Sequence, residues 1–304
     1  MPVVDLLEIG LRHEARSAPE SPAHRGPLDV WVDGVIRPLD GPALEVRDRG
    51  FLYGEAVYEG VKIVGRRPLY LPRHLERLAD SSRALGLGPV WAEAEAREIL
   101  ARLLGDRTNG MARLYRTAGV GLRGPTSLMW IEPPPPWVAQ HTPFWRLACH
   151  EERVVPYLPA VKHAHKLAHA RARGAARALG FDDAILVHRD GWALEGTASN
   201  LFFFEADTLH TPGAECGILP GITRDLVLEL APGCGFQTVE GRYPPEIVTA
   251  GDECFLTFTS AGIMPVAAIG EAELPAPVPG PRTLRLAAEY EARVSRDLEA
   301  ETPL

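Results

Sequence analysis

Cysteine is sparse in this 304-residue chain: Cys149, Cys216, Cys234 and Cys254 form no CxxC pair and no metal-ligand spacing. Such spacing excludes a disulfide scaffold and a zinc cluster and fits unpaired thiols in a reducing compartment, so no metal is expected. Long apolar runs are also missing. None reaches the roughly 18 residues that a membrane-spanning helix needs, and Met1-Pro2-Val3-Val4-Asp5 is not a basic segment leading into an apolar core. The chain therefore reads as a cytoplasmic protein without a membrane partner. Basic charge is not in excess either. With 40 acidic residues against 32 lysines and arginines the net charge is -8, and no long run of one sign offers a nucleic-acid surface.

What remains is ordinary globular material. With 46% hydrophobic residues the chain can build one large core or two smaller ones, and its length favours two domains. Residues 1–27 read as a polar leader containing Ser17-Ala18-Pro19-Glu20-Ser21-Pro22. Asp33-Gly34, between two short β-prone runs, predicts a hairpin turn, since this pair readily takes the positive φ angles such a turn requires. Strands are expected at 57–64 and 69–71, a helix opening at Pro72, another over 91–104, and strands at 112–118 and 127–132. Together these make a smaller α+β domain, 28–132. Pro133-Pro134-Pro135-Pro136 can continue neither a helix nor a central strand, which places an interdomain linker at 133–141. A larger domain, 142–304, is expected to hold strands near 145–150, 184–187, 201–204, 237–239 and 253–258, with helices over 164–179, 223–230 and 281–298.

The residues that could carry chemistry begin at Lys162 and Lys166, which flank two histidines. They are either a solvated basic patch or, if buried, lysines that shed their charge and form imines. Glu195 stands before a run of small residues and the apolar Leu201-Phe202-Phe203-Phe204. A carboxylate among apolar strands needs a cationic or protonated partner, and a pyridinium nitrogen would serve; an exposed turn is the other reading. In Leu219-Pro220-Gly221-Ile222-Thr223-Arg224, Thr223 is placed as an N-cap, and the free amides of a helix start make a phosphate site or simply a cap. Hydroxyls of Thr257-Phe258-Thr259-Ser260-Ala261-Gly262 and the guanidinium of Arg77 could serve the same anion.

In order and spacing these segments resemble the class IV aminotransferases of pyridoxal-phosphate fold type IV. That family includes branched-chain-amino-acid transaminases, D-amino-acid transaminases and aminodeoxychorismate lyases. The likeness runs from about residue 28 to 290, through Asp48-Arg49-Gly50-Phe51-Leu52-Tyr53-Gly54-Glu55-Ala56-Val57-Tyr58-Glu59-Gly60, His74-Leu75-Glu76-Arg77-Leu78, Lys162 with Gly180, Glu195-Gly196 with Asn200-Leu201-Phe202, and Gly217 to Arg224. It implies a mixed α+β fold of two domains, the larger with a β-barrel-like core, and pyridoxal 5'-phosphate as cofactor. By the same resemblance Lys162 is the Schiff-base lysine and proton shuttle, with Lys166 its rival, and Glu195 is the partner of the ring nitrogen. Arg77, Gly221, Ile222, Thr223, Thr259 and Ser260 make the phosphate cup, and Tyr58, Arg113, Arg116 and Ala261 bind substrate. A homodimer acting on small amino and keto acids is implied.

Tyr58-Glu59-Gly60-Val61-Lys62 is similar to branched-chain transaminases, whereas Ala118-Gly119 lacks the arginine of D-amino-acid transaminases. Met111 replaces the tyrosine that branched-chain enzymes carry two residues before their arginine, and Arg113, Arg116 and Arg123 remain candidates for the substrate carboxylate. Lys162-His163-Ala164-His165-Lys166-Leu167 leans toward the lyases, yet Glu59-Gly60 replaces their threonine pair. The expected activity is a transaminase of branched-chain type, with a D-amino-acid or (R)-amine transaminase and a lyase as alternatives. A protein that merely binds the cofactor would not require both Lys162 and Glu195.

Overall fold

The computed structural model describes residues 28–135, 138, 143–150, 152–275 and 277–304. The expected leader and much of the expected linker lie outside the described residues. The first hairpin forms as the sequence predicts: Asp33 and Gly34, with φ of 46° and 96°, turn β1 (Asp29–Val32) into β2 (Val35–Pro38). After a short helix, α1 (Arg49–Tyr53), the long β3 (Ala56–Val64) pairs with β5 (Gly110–Thr117), and β5 with β6 (Thr126–Glu132). Among the described residues these strands and β4 (Arg67–Pro68) form one antiparallel sheet in the order β2-β1-β6-β5-β3-β4.

Helices α2 (Leu71–Ala84) and α3 (Glu93–Leu104) cover that sheet. Leu71, Leu75 and Leu78, and Ala96, Leu100 and Leu103, recur at helical spacing and bury one stripe of each helix against Val57, Val61, Leu114 and Met129. The strand expected at 69–71 is not there. Gly65 and Arg66 turn the chain at positive φ, β4 lasts two residues, and the left-handed Tyr70 launches the helix at Leu71.

The second sheet contains β7 (Trp145–Cys149), β8 (Asp183–Val187), β9 (Ala193–Gly196), β10 (Asn200–Glu205), β11 (Thr208–Pro212), β12 (Gln237–Gly241), β13 (Glu253–Phe258), β14 (Gly262–Ile269) and β15 (Ala272–Glu273). Its order is β12-β11-β10-β13-β14-β7-β8-β9, with β15 pairing β14, and it curls into a half-barrel. Alternation along β10 sends Phe202 and Phe204 into one core, with Leu226, Leu286 and Tyr290, and Leu201 and Phe203 into another, with Leu256 and Val266. Each such phenylalanine contributes on the order of 2 to 3 kcal/mol by burial. Three helices complete this half: α4 (Leu167–Ala178), α5 (Ile222–Leu230) and α7 (Pro281–Ala300), with the short α6 (Pro245–Thr249) between the last two.

Among the helix starts that differ from expectation, two bear on the site. The helix expected from residue 164 begins at Leu167, because the preceding segment is held as an edge extension of β3. Tyr58 N donates to Lys162 O at 3.0 Å and Ala164 N to Ala56 O at 2.8 Å. Lys162 thus projects from a pinned, non-helical segment. At α5 the N-cap is Gly221 rather than Thr223; Asn200 Oδ1 lies 2.0 Å from where a Cβ on residue 221 would fall, so a larger residue there would push aside the side chain that donates to Glu195.

Candidate active site

A cavity of about 250 Å³ opens between the two sheets. One wall comes from the first sheet and α2, through Tyr58, Gly60, Met111, Arg113 and Arg77; the other carries Lys162, Lys166, Glu195, Asn200 and the start of α5. Of the residues singled out from sequence, Lys162, Glu195, Arg77, Gly221, Ile222, Thr223, Thr259, Ser260, Tyr58 and Arg113 all line it. Three do not. Arg116 lies on the opposite face of β5, donating to Leu87 O at 3.0 Å and to Ser127 Oγ, because strand alternation separates it from Arg113. Ala261 packs instead against the apolar cluster around Trp145 and Phe258. Arg123 is exposed and paired with Glu45 at 2.9 Å.

The electrostatics follow from burial. Lys162 Nζ lies 5.0 Å from the Tyr58 ring centroid, and burial, reinforced by Arg77 and Lys166 and opposed by Glu59, lowers its ammonium to about 8. Burial likewise lowers Lys166, against the pull of Glu195. The Glu195 carboxyl is pushed up to about 7 by burial, although Lys166 and the Leu219 amide work the other way. Its Oε2 accepts from Asn200 Nδ2 at 3.1 Å and Leu219 N at 3.2 Å. A desolvated amine and a desolvated acid therefore share one cavity, both close to the point of losing their charge.

Behind Arg77 stands a residue whose part the sequence reading missed. Glu59, fully buried on β3, accepts from Arg77 Nε at 2.6 Å, Arg77 Nη2 at 2.9 Å and His74 Nδ1 at 2.7 Å. Burial raises its carboxyl, but Arg77 and His74 outweigh that and bring it to about 2. Arg77 also donates to Pro220 O at 2.8 Å, which ties the guanidinium to the start of α5. The sequence holds only the separate pieces, an acid within β3 and a histidine and an arginine three residues apart on α2; that they meet is decided by the fold. On the facing strand Arg113 is held by Glu132 at 2.6 Å, and a Cβ at Gly60 would lie 3.0 Å from Arg113 Nη1.

The cavity is equipped for an anion. No side chain caps α5, whose first amides belong to the lining residues Ile222 and Thr223. The hydroxyls of Ser199 and Thr257, also in the lining, are buried with no hydrogen-bond partner. Unfilled donors at a helix start, beside an arginine, suit a phosphate.

A desolvated lysine, a desolvated acid and an anion cup in one cleft define an enzyme that works on amines through an anchored anionic cofactor. The family model for amino-transferase class IV matches residues 56–269, more than half of the chain, and the chain belongs to that family. A Methanocaldococcus jannaschii relative, provisionally named a branched-chain-amino-acid aminotransferase, is 31% identical over 254 residues, covering 79% of this chain and 87% of the relative. The D-alanine aminotransferase of Bacillus licheniformis is 28% identical over 268 residues, covering 84% and 93%. Among solved structures, the branched-chain aminotransferase of Thermoproteus uzoniensis with norvaline superposes with a TM-score of 0.83 at 26% identity, covering 91% of this chain and 99% of that one. The protein is thus an aminotransferase of the expected α+β fold. Class IV aminotransferases use pyridoxal 5'-phosphate. All four cysteines are free, and no described helix is long and apolar enough to cross a membrane.

Proposed function

We propose that the chain is a pyridoxal-5'-phosphate-dependent transaminase that exchanges an amino group between a branched-chain L-amino acid and a 2-oxo acid such as 2-oxoglutarate. The observation that carries the cofactor assignment is the pairing of Lys162 and Glu195 in one cavity whose helix start and orphaned hydroxyls await an anion. The residues present fit that cofactor. Arg77, the amides of Ile222 and Thr223, and the hydroxyls of Thr259 and Ser260 would hold its phosphate, with Gly221 letting the helix start approach. Glu195 would face its ring nitrogen and Lys162 its aldehyde.

When bound, the cofactor supplies a carbonyl carbon that exchanges amines and a ring that takes up electrons. Lys162, with its ammonium lowered to about 8, is neutral far more often near pH 7 than an ordinary lysine, and its Nζ can take the α-proton and return it. Glu195, desolvated and steadied by Asn200 and Leu219, would share a proton with the ring nitrogen and so keep the ring cationic. Tyr58, Gly60 and Met111 offer an apolar wall for a branched side chain, and Arg113, on the strand facing Gly60, offers a cation for the distal carboxylate of an acidic acceptor. Half-reactions with L-leucine, D-alanine, (R)-1-phenylethylamine and aminodeoxychorismate, followed by the cofactor's absorbance, test the substrate. Conversion by L-leucine but not D-alanine is expected; the reverse rejects the assignment.

A further inference from the structure

A second cavity, of about 140 Å³, lies on the far side of Glu195. Lys166, Glu195 and Leu219 line both cavities and so form the partition between them. Much of the second lining is apolar, but His163, His165 and His169 face into it. Two of these rings are incomplete. His163 Nε2 lies 2.9 Å from Tyr157 O, and a carbonyl only accepts, so Nε2 carries the hydrogen and Nδ1 of the neutral ring is left as an acceptor. Burial lowers His163, and burial followed by Lys166 lowers His169 to about 3, so both rings are neutral near pH 7. The Nδ1 atoms of both are buried without a partner. An apolar void stays dry, but a cavity of this size with two orphaned ring nitrogens and a carboxyl in its wall has the room and the polar partners that buried water needs.

Glu195 has a matching opening. Its Oε2 accepts from Asn200 and Leu219, while Oε1 accepts from no described residue. The charges facing the carboxyl are Lys166, Lys162 and Arg224, none within hydrogen-bond distance, and the histidines face it from the second cavity. A filled front cavity would leave the partition as the way out for a proton on Glu195.

We propose that the second cavity holds a chain of waters, ordered by Nδ1 of His163 and His169, through which the proton shared by Glu195 and the ring nitrogen exchanges with solvent while the front cavity is occupied. The inference rests on the cofactor placement proposed above. A water takes the proton from the carboxyl and passes one of its own to the next water, and the last water releases a proton to solvent. Glu195 is left as carboxylate, and the reverse sequence restores it. His163 and His169 stay neutral throughout; they are positioning residues.

The test uses the cofactor-loaded protein with the cofactor ring labelled with 15N. The proton between Glu195 and the ring nitrogen is observed by proton NMR, its exchange with water is measured by saturation transfer, and Glu195→Gln serves to assign the resonance. Leucine at both histidines (His163→Leu with His169→Leu) removes both polar ring atoms and should slow exchange about tenfold, the worth of roughly one hydrogen bond to water. Asparagine at both positions keeps an acceptor where each Nδ1 stood and should restore most of the wild-type rate. Equal exchange in all three proteins overturns the conduit alone. Absence of the resonance from the wild type overturns the placement of Glu195 and the conduit with it.

Discussion

Glu59→Gln should lower the melting temperature by about 5 to 10 °C while leaving the fold intact. Glu59 has no exposure and accepts three hydrogen bonds, two from Arg77 and one from His74. Its carboxyl falls from 4.5 to about 2 in the folded protein. At about 1.4 kcal/mol per unit, the fold favours the carboxylate by roughly 3 kcal/mol. Glutamine keeps the shape and one acceptor but removes the charge beside a partly buried guanidinium, so most of that figure should be lost. A chain of this size loses about 2 to 4 °C per kcal/mol, which gives the predicted shift. Because the folded value is depressed, this contribution is present in full above the unfolded value of 4.5 and disappears as pH falls through about 2. Thermal unfolding followed by circular dichroism should therefore show a constant difference between wild type and variant at pH 7 to 8 and a shrinking one below pH 4.5. A shift under about 1 °C at pH 7, or one that stays the same at pH 3, would refute the reasoning.

Three further outcomes follow from the same geometry. In the cofactor-free protein, acylation of Lys162 should rise with pH and level off above about 8, where an ordinary lysine would rise until 10.5; peptide mass spectrometry across a pH series reads the midpoint. Arg113→Met should lower kcat/KM for 2-oxoglutarate by about 10- to 100-fold, the worth of one charge-assisted contact, and change that for L-leucine far less. Gly119→Ala should cost more than about 2 kcal/mol in urea unfolding. Residue 119 has φ +69°, and a Cβ there would lie 1.8 Å from Gly124 O.

The sequence was legible where local chemistry decides the outcome. Asp33-Gly34 makes its turn and Pro281 opens a helix that runs to Ala300. Lys162 and Glu195, whose surroundings left two readings each and which the family resemblance singled out, reach one cavity. What stayed hidden depends on partners distant in the chain. The helix expected from residue 164 beside an alanine- and arginine-rich run starts only at Leu167, because the edge of β3 claims the backbone of residues 162–164. Thr223 has the chemistry of an N-cap, yet the helix starts one residue earlier, at Ile222, with Gly221 as its uncapped N-cap. Proline and glycine conceal two strands of the second sheet, Thr208–Pro212 and Gly262–Ile269, which pairing with neighbouring strands supports. The union of Glu59, His74 and Arg77 spans a strand and a helix, and so lies beyond any local pattern.

The central claim is that Lys162, rather than Lys166, is the amine that joins the cofactor. Incubating the protein with pyridoxal 5'-phosphate, reducing with borohydride and mapping the label by peptide mass spectrometry tests it directly. The account predicts label on Lys162 in the wild type and none in Lys162→Ala; label on Lys166, or retained in Lys162→Ala, would contradict it.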